Sequence, residues 1–473
     1  MAAVVWLFAA GAIVQPQTGA INLERLAEAV NAISENRLPR AEELLNSVLA
    51  ALPNDADALN LLGVVRAKQN RSAEAEKLFK RALARSPSHL GAHINLGELL
   101  LTSNRPAEAM TILLRAHRLA PNRPEINLNL ARLYAAKANY QEAYRFVRLV
   151  PREALDDESK AELALLLSKG GLNEEAVNIL TGSQQTFPVL YALGVVKAAQ
   201  KQFAQAEEHL NAVLAIKPDD VATLRALARV ARLSGNLEKA LAHLVHARRL
   251  APNSPAVLYD FGITTFQMDL FLDALPVFEQ LHRDHPREPA YLYALAAVRW
   301  RKGETGETER LMNSYVALQP NDPAGFYLLG AALLQQDALV KARTALQRSL
   351  SLKPDPQTEY LLGVSLEKLG QRAAAIEIFR RVIRARPDYA AAYSALGSAY
   401  REAGNYAEAR TALQRAVELD PNDLRANYQL GLVHAKLGDQ EAAKRLFARA
   451  DDLRAQQRNQ ESVVLKLTDP PQE

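Results

Sequence analysis

From residue 22 onward the chain alternates two helical patterns of apolar and polar positions, and the pair recurs about every 34 residues. Ala390 to Asp423 shows the unit in full. Counted from 1 at Ala390, apolar or small residues fall at positions 4 (Tyr393), 7 (Leu396), 8 (Gly397) and 11 (Tyr400), then at 20 (Ala409), 24 (Leu413) and 27 (Ala416). Spacings of three and four place each group on one face of a helix. Gly404, at position 15, separates the two patterns, and Pro421, at position 32, closes them. Glycine accepts the left-handed backbone that ends a helix, and proline lacks the N–H that would continue one. Two short helices cannot bury such faces alone, so each unit needs neighbours.

Thirteen units follow one another, starting at Asn22, Ala56, Leu90, Pro124, Asp157, Phe187, Val221, Pro255, Pro289, Pro323, Pro356, Ala390 and Leu424. Position 20 is alanine in all of them except one, which carries Thr308, so the two helices of a unit are expected to pass closely there. Position 15 is Gly, Asn or Asp except at Ala138 and Lys201. This pattern resembles the tetratricopeptide repeat (TPR) family, over Asn22 to about Gln457. The resemblance implies an all-α right-handed superhelix of helix-turn-helix units whose concave groove binds partner segments.

The repeats change what length alone would suggest. A chain of 473 residues would ordinarily divide into about three domains, but a solenoid grows by adding units. We expect N-terminal units over 21–156 and C-terminal units over 157–457, with a kink near 151–188, where Pro151, Gly170-Gly171 and Pro188 disturb the register. Residues 458–473 read as a polar tail. Residues 1–20 stand apart. Ala2 to Val14 is uncharged and apolar, too short to span a bilayer, and is followed by small residues at Thr18 and Ala20. That reads as a signal peptide cleaved after Ala20, and hence a periplasmic or secreted protein, although no Lys or Arg precedes the apolar run. A cytoplasmic protein with an apolar N-terminal cap is the alternative. Once the signal is removed, no integral membrane span is expected.

Charge and composition narrow the chemistry. Fifty-seven basic residues against 53 acidic leave a net charge of +4, which gives no support for nucleic-acid binding through bulk charge. There is no cysteine, which excludes disulfides, thiol catalysis and thiolate-bound zinc. A phosphate-binding glycine loop, HExxH and Gly-x-Ser-x-Gly are all absent. His243/His246 and His282/His285 are each three apart, but neither pair has an evident third ligand. No enzyme, cofactor or metal is expected.

Functional residues are therefore sought on the first helix of each unit, where the resemblance implies that positions 2, 5, 9, 12 and 13 line the groove. Arg225, Arg229 and Arg232 fall at positions 5, 9 and 12 of one unit, on one helix face, with Arg132 and Lys169 at groove positions upstream. They suit an acidic partner, or else a structural ion pair with Asp260. Tyr259, Tyr293, Tyr327 and Tyr360 at position 5, with Phe266 and Trp300 at position 12, form an aromatic strip. They suit bulky apolar anchors, or else simply pack between units. The Lys/Asn pair of carboxylate-clamp TPR adaptors is missing. The expectation is a non-enzymatic scaffold that binds protein or peptide segments, acidic with apolar anchors. The alternatives are an accessory subunit of a bacterial envelope or polysaccharide-export assembly, and a regulatory arm associated with an enzyme.

Overall fold

The computed structural model describes residues 20–456, and every described element is helical: twenty-six α-helices and one short 3-10 turn. The helices, α1 to α26 in chain order, make thirteen pairs. The first helices of twelve pairs begin at the residues expected from the pattern, from α3 (Ala56–Lys68) to α25 (Leu424–Lys436). The exception is α1 (Ala20–Ser34), which starts two residues early. The expected signal peptide and tail lie, apart from Ala20, outside the described residues. No described helix is long and apolar enough to cross a membrane.

Position 15 has a positive φ in all thirteen units, including Ala138 (φ 56°) and Lys201 (φ 61°), which must adopt a conformation costly for a residue with a Cβ. The turn, and not residue preference, therefore sets the backbone. Side chains fix the other end of the loop. Asp55, Asp156, Asp220, Asp355 and Asp423 each accept a hydrogen bond from the backbone N–H three residues on, at the start of a first helix.

Within a unit the two helices meet through small residues. The position-20 alanines are fully or almost fully buried. Thr308 is buried too, and its hydroxyl donates to the Glu304 carbonyl at 3.0 Å, so the exception costs no unsatisfied group. Position 8 is glycine or alanine throughout. Across from it, at position 24, sits a large side chain: Leu346 against Gly330, Phe278 against Gly262. A Cβ on Gly330 would stand 2.6 Å from Leu346 Cγ.

The described residues form two compact units, divided between Pro218 and Asp219. Each has its own hydrophobic cluster, one running from Leu26 to Val196 and the other from Ala228 to Val433. The division thus falls between Pro218 and Asp219 and not at 156/157. The irregular sequence near 151–188 appears instead as two short second helices, α8 (Tyr140–Val147) and α10 (Asn173–Leu180), and the turn Arg152–Ala154.

Candidate functional site

Several groove positions of the first helices are occupied by bonds to the next unit. In the first compact unit, Asn95 Nδ2 donates to Asn60 Oδ1 at 2.9 Å, and Arg132 Nε donates to Glu162 at 2.8 Å. In the second, Arg225 Nε donates to Asp260 Oδ2 at 2.8 Å. In each case position 6 of the later unit is one partner. Arg225, on α13 (Val221–Leu233), is thus a structural pair with Asp260 on α15 (Pro255–Gln267). On the same helix Arg229 is exposed and Arg232 half-buried.

The aromatic strip is not an open surface. Tyr259, Phe266, Tyr293, Trp300 and Tyr327 are all buried, with Trp300 at 3% exposure. The physical reason is that α15, α17 (Pro289–Arg301) and α19 (Pro323–Gln335) carry apolar residues around almost their whole circumference. Their aromatic rings fill space inside the stack. Tyr259 lies 5.9 Å from the Phe278 ring and 5.6 Å from Tyr291, Tyr293 lies 5.4 Å from Tyr315, and Phe266 lies 5.7 Å from Phe271. Tyr360 is half-buried between Phe379 and Tyr389, and burial pushes its phenol up to about 12. These residues serve as packing, and the expectation that they receive apolar anchors is corrected accordingly.

A recess opens on another face of the helices. A cavity of about 870 Å³ lies between the second helices α22 (Arg372–Ala385) and α24 (Tyr406–Leu419), with α23 (Ala390–Glu402) between them. Tyr393, Leu396 and Tyr400 of α23, at positions 4, 7 and 11, contribute its apolar lining together with Ile383 and Ala412. Arg380 and Arg384 of α22 and Arg410 and Arg415 of α24 contribute positive charge, against Glu408 and Glu418 of α24, and His434 of α25 completes the polar lining. Arg380 is held in place: its Nε donates to the Tyr400 hydroxyl at 2.8 Å, and Nη1 pairs with Glu377 at 2.6 Å. Arg415 pairs with Glu418 at 3.0 Å. Arg384 and Arg410 have no hydrogen-bonding or ionic partner among the described residues. The cavity is within the size range of small-ligand and peptide-anchor pockets. Sequence reasoning missed it because it looked only at first helices. The available signal was Arg380 and Arg384, four apart on a second helix.

No group of three or more His, Asp or Glu placed to hold a metal occurs among the described residues. Of the two histidine pairs, His246 Nε2 lies 3.1 Å from Asp219, and His285 packs 5.8 Å from the Tyr291 ring.

Two family models, both described as tetratricopeptide repeat, match the chain. One covers residues 26–89, 65–124, 259–323, 360–423 and 394–458, and the other 197–259. Among characterised proteins the chain is similar to human protein O-mannosyl-transferase TMTC1, 26% identical over 42% of this chain and 23% of that protein. It is also similar to the bovine BBSome complex member BBS4, 24% identical over 61% of this chain and 56% of that protein. The chain thus spans from just under a quarter to just over half of these relatives. Among solved structures, the APC/C hetero-tetramer Cut9-Hcn1 shares the fold, with a TM-score of 0.50, 16% identity, and coverage of 92% of this chain and 94% of that one. Thirteen helix pairs in one register, matched by repeat models over more than half of the sequence, place the chain in the tetratricopeptide repeat family.

Proposed function

We propose that this chain is a non-catalytic scaffold that binds a polypeptide segment in the recess between α22 and α24. The favoured occupant carries a bulky apolar side chain flanked by acidic ones. The observation that carries this reading is the pairing of an aromatic lining, Tyr393 and Tyr400, with the unpartnered Arg384 and Arg410 on the helices either side. The lining removes an apolar side chain from water, and the guanidinium groups pair with carboxylates beside it. Both arginines are exposed, so the charges contribute more to selectivity than to affinity.

Fluorescence anisotropy with two labelled peptides tests the proposal, one with tryptophan flanked by glutamates and one with lysines in their place. The acidic peptide is expected to bind, and the double charge reversal Arg384→Glu/Arg410→Glu to weaken it by about tenfold or more. Equal affinity for both peptides, or indifference to the double variant, overturns the assignment.

A second reading, a fixed subunit of a larger assembly, is favoured by the relative whose name makes it a BBSome complex member. It predicts that the native protein elutes with a partner in constant stoichiometry through two chromatographic steps. Recovery as the isolated chain rejects it.

A further inference from the structure

Where a proline closes a unit, the following unit bonds its carbonyl in two recurring ways. In some units an arginine at position 26 of the second helix does so: Arg81 donates to the Pro53 carbonyl at 3.2 Å, and Arg348 to Pro320 at 3.2 Å. In others a residue at position 4 of the first helix does so: Asn127 Nδ2 donates to Pro121 at 2.8 Å, and Asn427 Nδ2 to Pro421 at 3.2 Å. The unit beginning at Leu90 has both kinds of residue, His93 at position 4 and Arg115 at position 26, with one carbonyl, that of Pro87. His93 takes it, with Nε2 2.9 Å from the oxygen. Arg115 is therefore released. Neither it nor Arg118, three residues on along the same helix face, has a partner among the described residues.

His93 is left incomplete by the same bond. A carbonyl only accepts, so Nε2 carries the hydrogen, and the neutral ring presents a bare Nδ1. His93 is 3% exposed and its Nδ1 is buried without a hydrogen-bond partner. It lines a cavity of about 280 Å³ between α4 (Ser72–Arg85) and α6 (Pro106–Leu119), together with Leu83, Pro87, Arg115, Arg118 and Leu119. Burial, and then the positive charge of Arg115, with His89 and Arg118 adding to it, hold the His93 ring below the ordinary histidine value. His89 is itself set against Asp57, with Nε2 3.1 Å from the carboxylate. The cavity thus gathers two unpaired cations and one buried nitrogen that lacks only a proton and an acceptor.

We propose that this cavity binds a phosphate-type oxyanion, held by Arg115, Arg118 and the Nδ1–H of a protonated His93. A dianion offsets the two guanidinium charges that oppose protonation, and its oxygens supply the acceptor that a protonated Nδ1 needs. Binding then draws one proton from solvent onto Nδ1. The site lies in the first compact unit and does not depend on the recess between α22 and α24.

The repeat pattern supplies the variant that keeps the fold. His93→Asn places at position 4 the residue that already bonds the proline carbonyl in the units of Asn127 and Asn427. The experiment is a pH titration of imidazole resonances in the full chain, with the His93 signal assigned as the one lost in His93→Asn. It is run in inorganic phosphate and in sodium chloride at matched ionic strength, with O-phosphoserine as a parallel probe. Phosphate is expected to raise the His93 midpoint by about one pH unit over chloride and to raise Tm, and Arg115→Gln/Arg118→Gln to abolish both effects. Binding of O-phosphoserine as well identifies a phosphoryl group carried on a larger molecule as an accepted source, and binding of phosphate alone identifies the free ion. Identical His93 titrations in phosphate and chloride overturn the proposal, as does a phosphate response that survives in the double arginine variant.

Discussion

At a position-8 glycine such as Gly330, a single added methyl would force the facing side chain at position 24 to shift, because it already stands at the limit of approach. Alanine takes this position at Ala131, Ala228 and Ala296, where the side chains opposite are Val147, Leu244 and Met312, so in those units the pair of helices is already set to admit a Cβ. Charge acts at the same scale. Glu98 is half-buried on α5 (Leu90–Thr102), and burial, with Glu125 adding repulsion, raises its carboxyl to about 7. Its folded value lies above its unfolded value, so its contribution to stability is complete below about pH 4.5 and is lost as pH rises through 7. Glu98→Gln, neutral at every pH, is therefore expected to match the wild type in urea unfolding at pH 4. At pH 8 it should be more stable by on the order of 2 kcal/mol. A variant less stable at pH 8 contradicts the direction.

At the scale of elements, α15, α17 and α19 differ from the other first helices by being buried nearly all round. Trp300 on α17 is the test of what that means. Its indole Nε1 is buried without an acceptor among the described residues, so the side chain acts by volume. Trp300→Ala is expected to cost about 3–5 kcal/mol in chemical denaturation, as large-to-small changes in cores do. Trp300→Phe should cost clearly less, about 1–2 kcal/mol, because it keeps a ring and removes an unpaired donor. Neither variant should change binding of the acidic peptide at α22 and α24. A stable Trp300→Ala chain that had lost that binding would restore the inner face as the contact surface. This is also where sequence reading ran out. Period and spacing say which residues share a face of a helix, as Tyr293 and Trp300 do on α17. They do not say how closely the next helix covers that face, and here it covers it almost fully.

At the scale of the molecule, the register of all thirteen units was legible in the chain, down to the first residue of twelve first helices. Ala138 and Lys201 look out of place as residues yet hold the left-handed turn of their neighbours, so the repeat overrides local preference. The division at Pro218 was not legible, because the local irregularities lie earlier, near residues 151–188, and the division depends on which apolar residues join which cluster. The recess between α22 and α24 was hidden for a related reason: its four arginines come from two helices that only stacking brings together.

Two separate cores have a consequence for how the protein is made. A ribosome adds about 5–20 residues each second, so once residue 218 is joined the remaining 255 take roughly 13–50 s. Helix pairs mostly touch their neighbours in sequence and condense far faster than that. The nascent chain is therefore expected to fold its first half, with the pocket of His93, Arg115 and Arg118, while the half that carries the α22–α24 recess is still being translated.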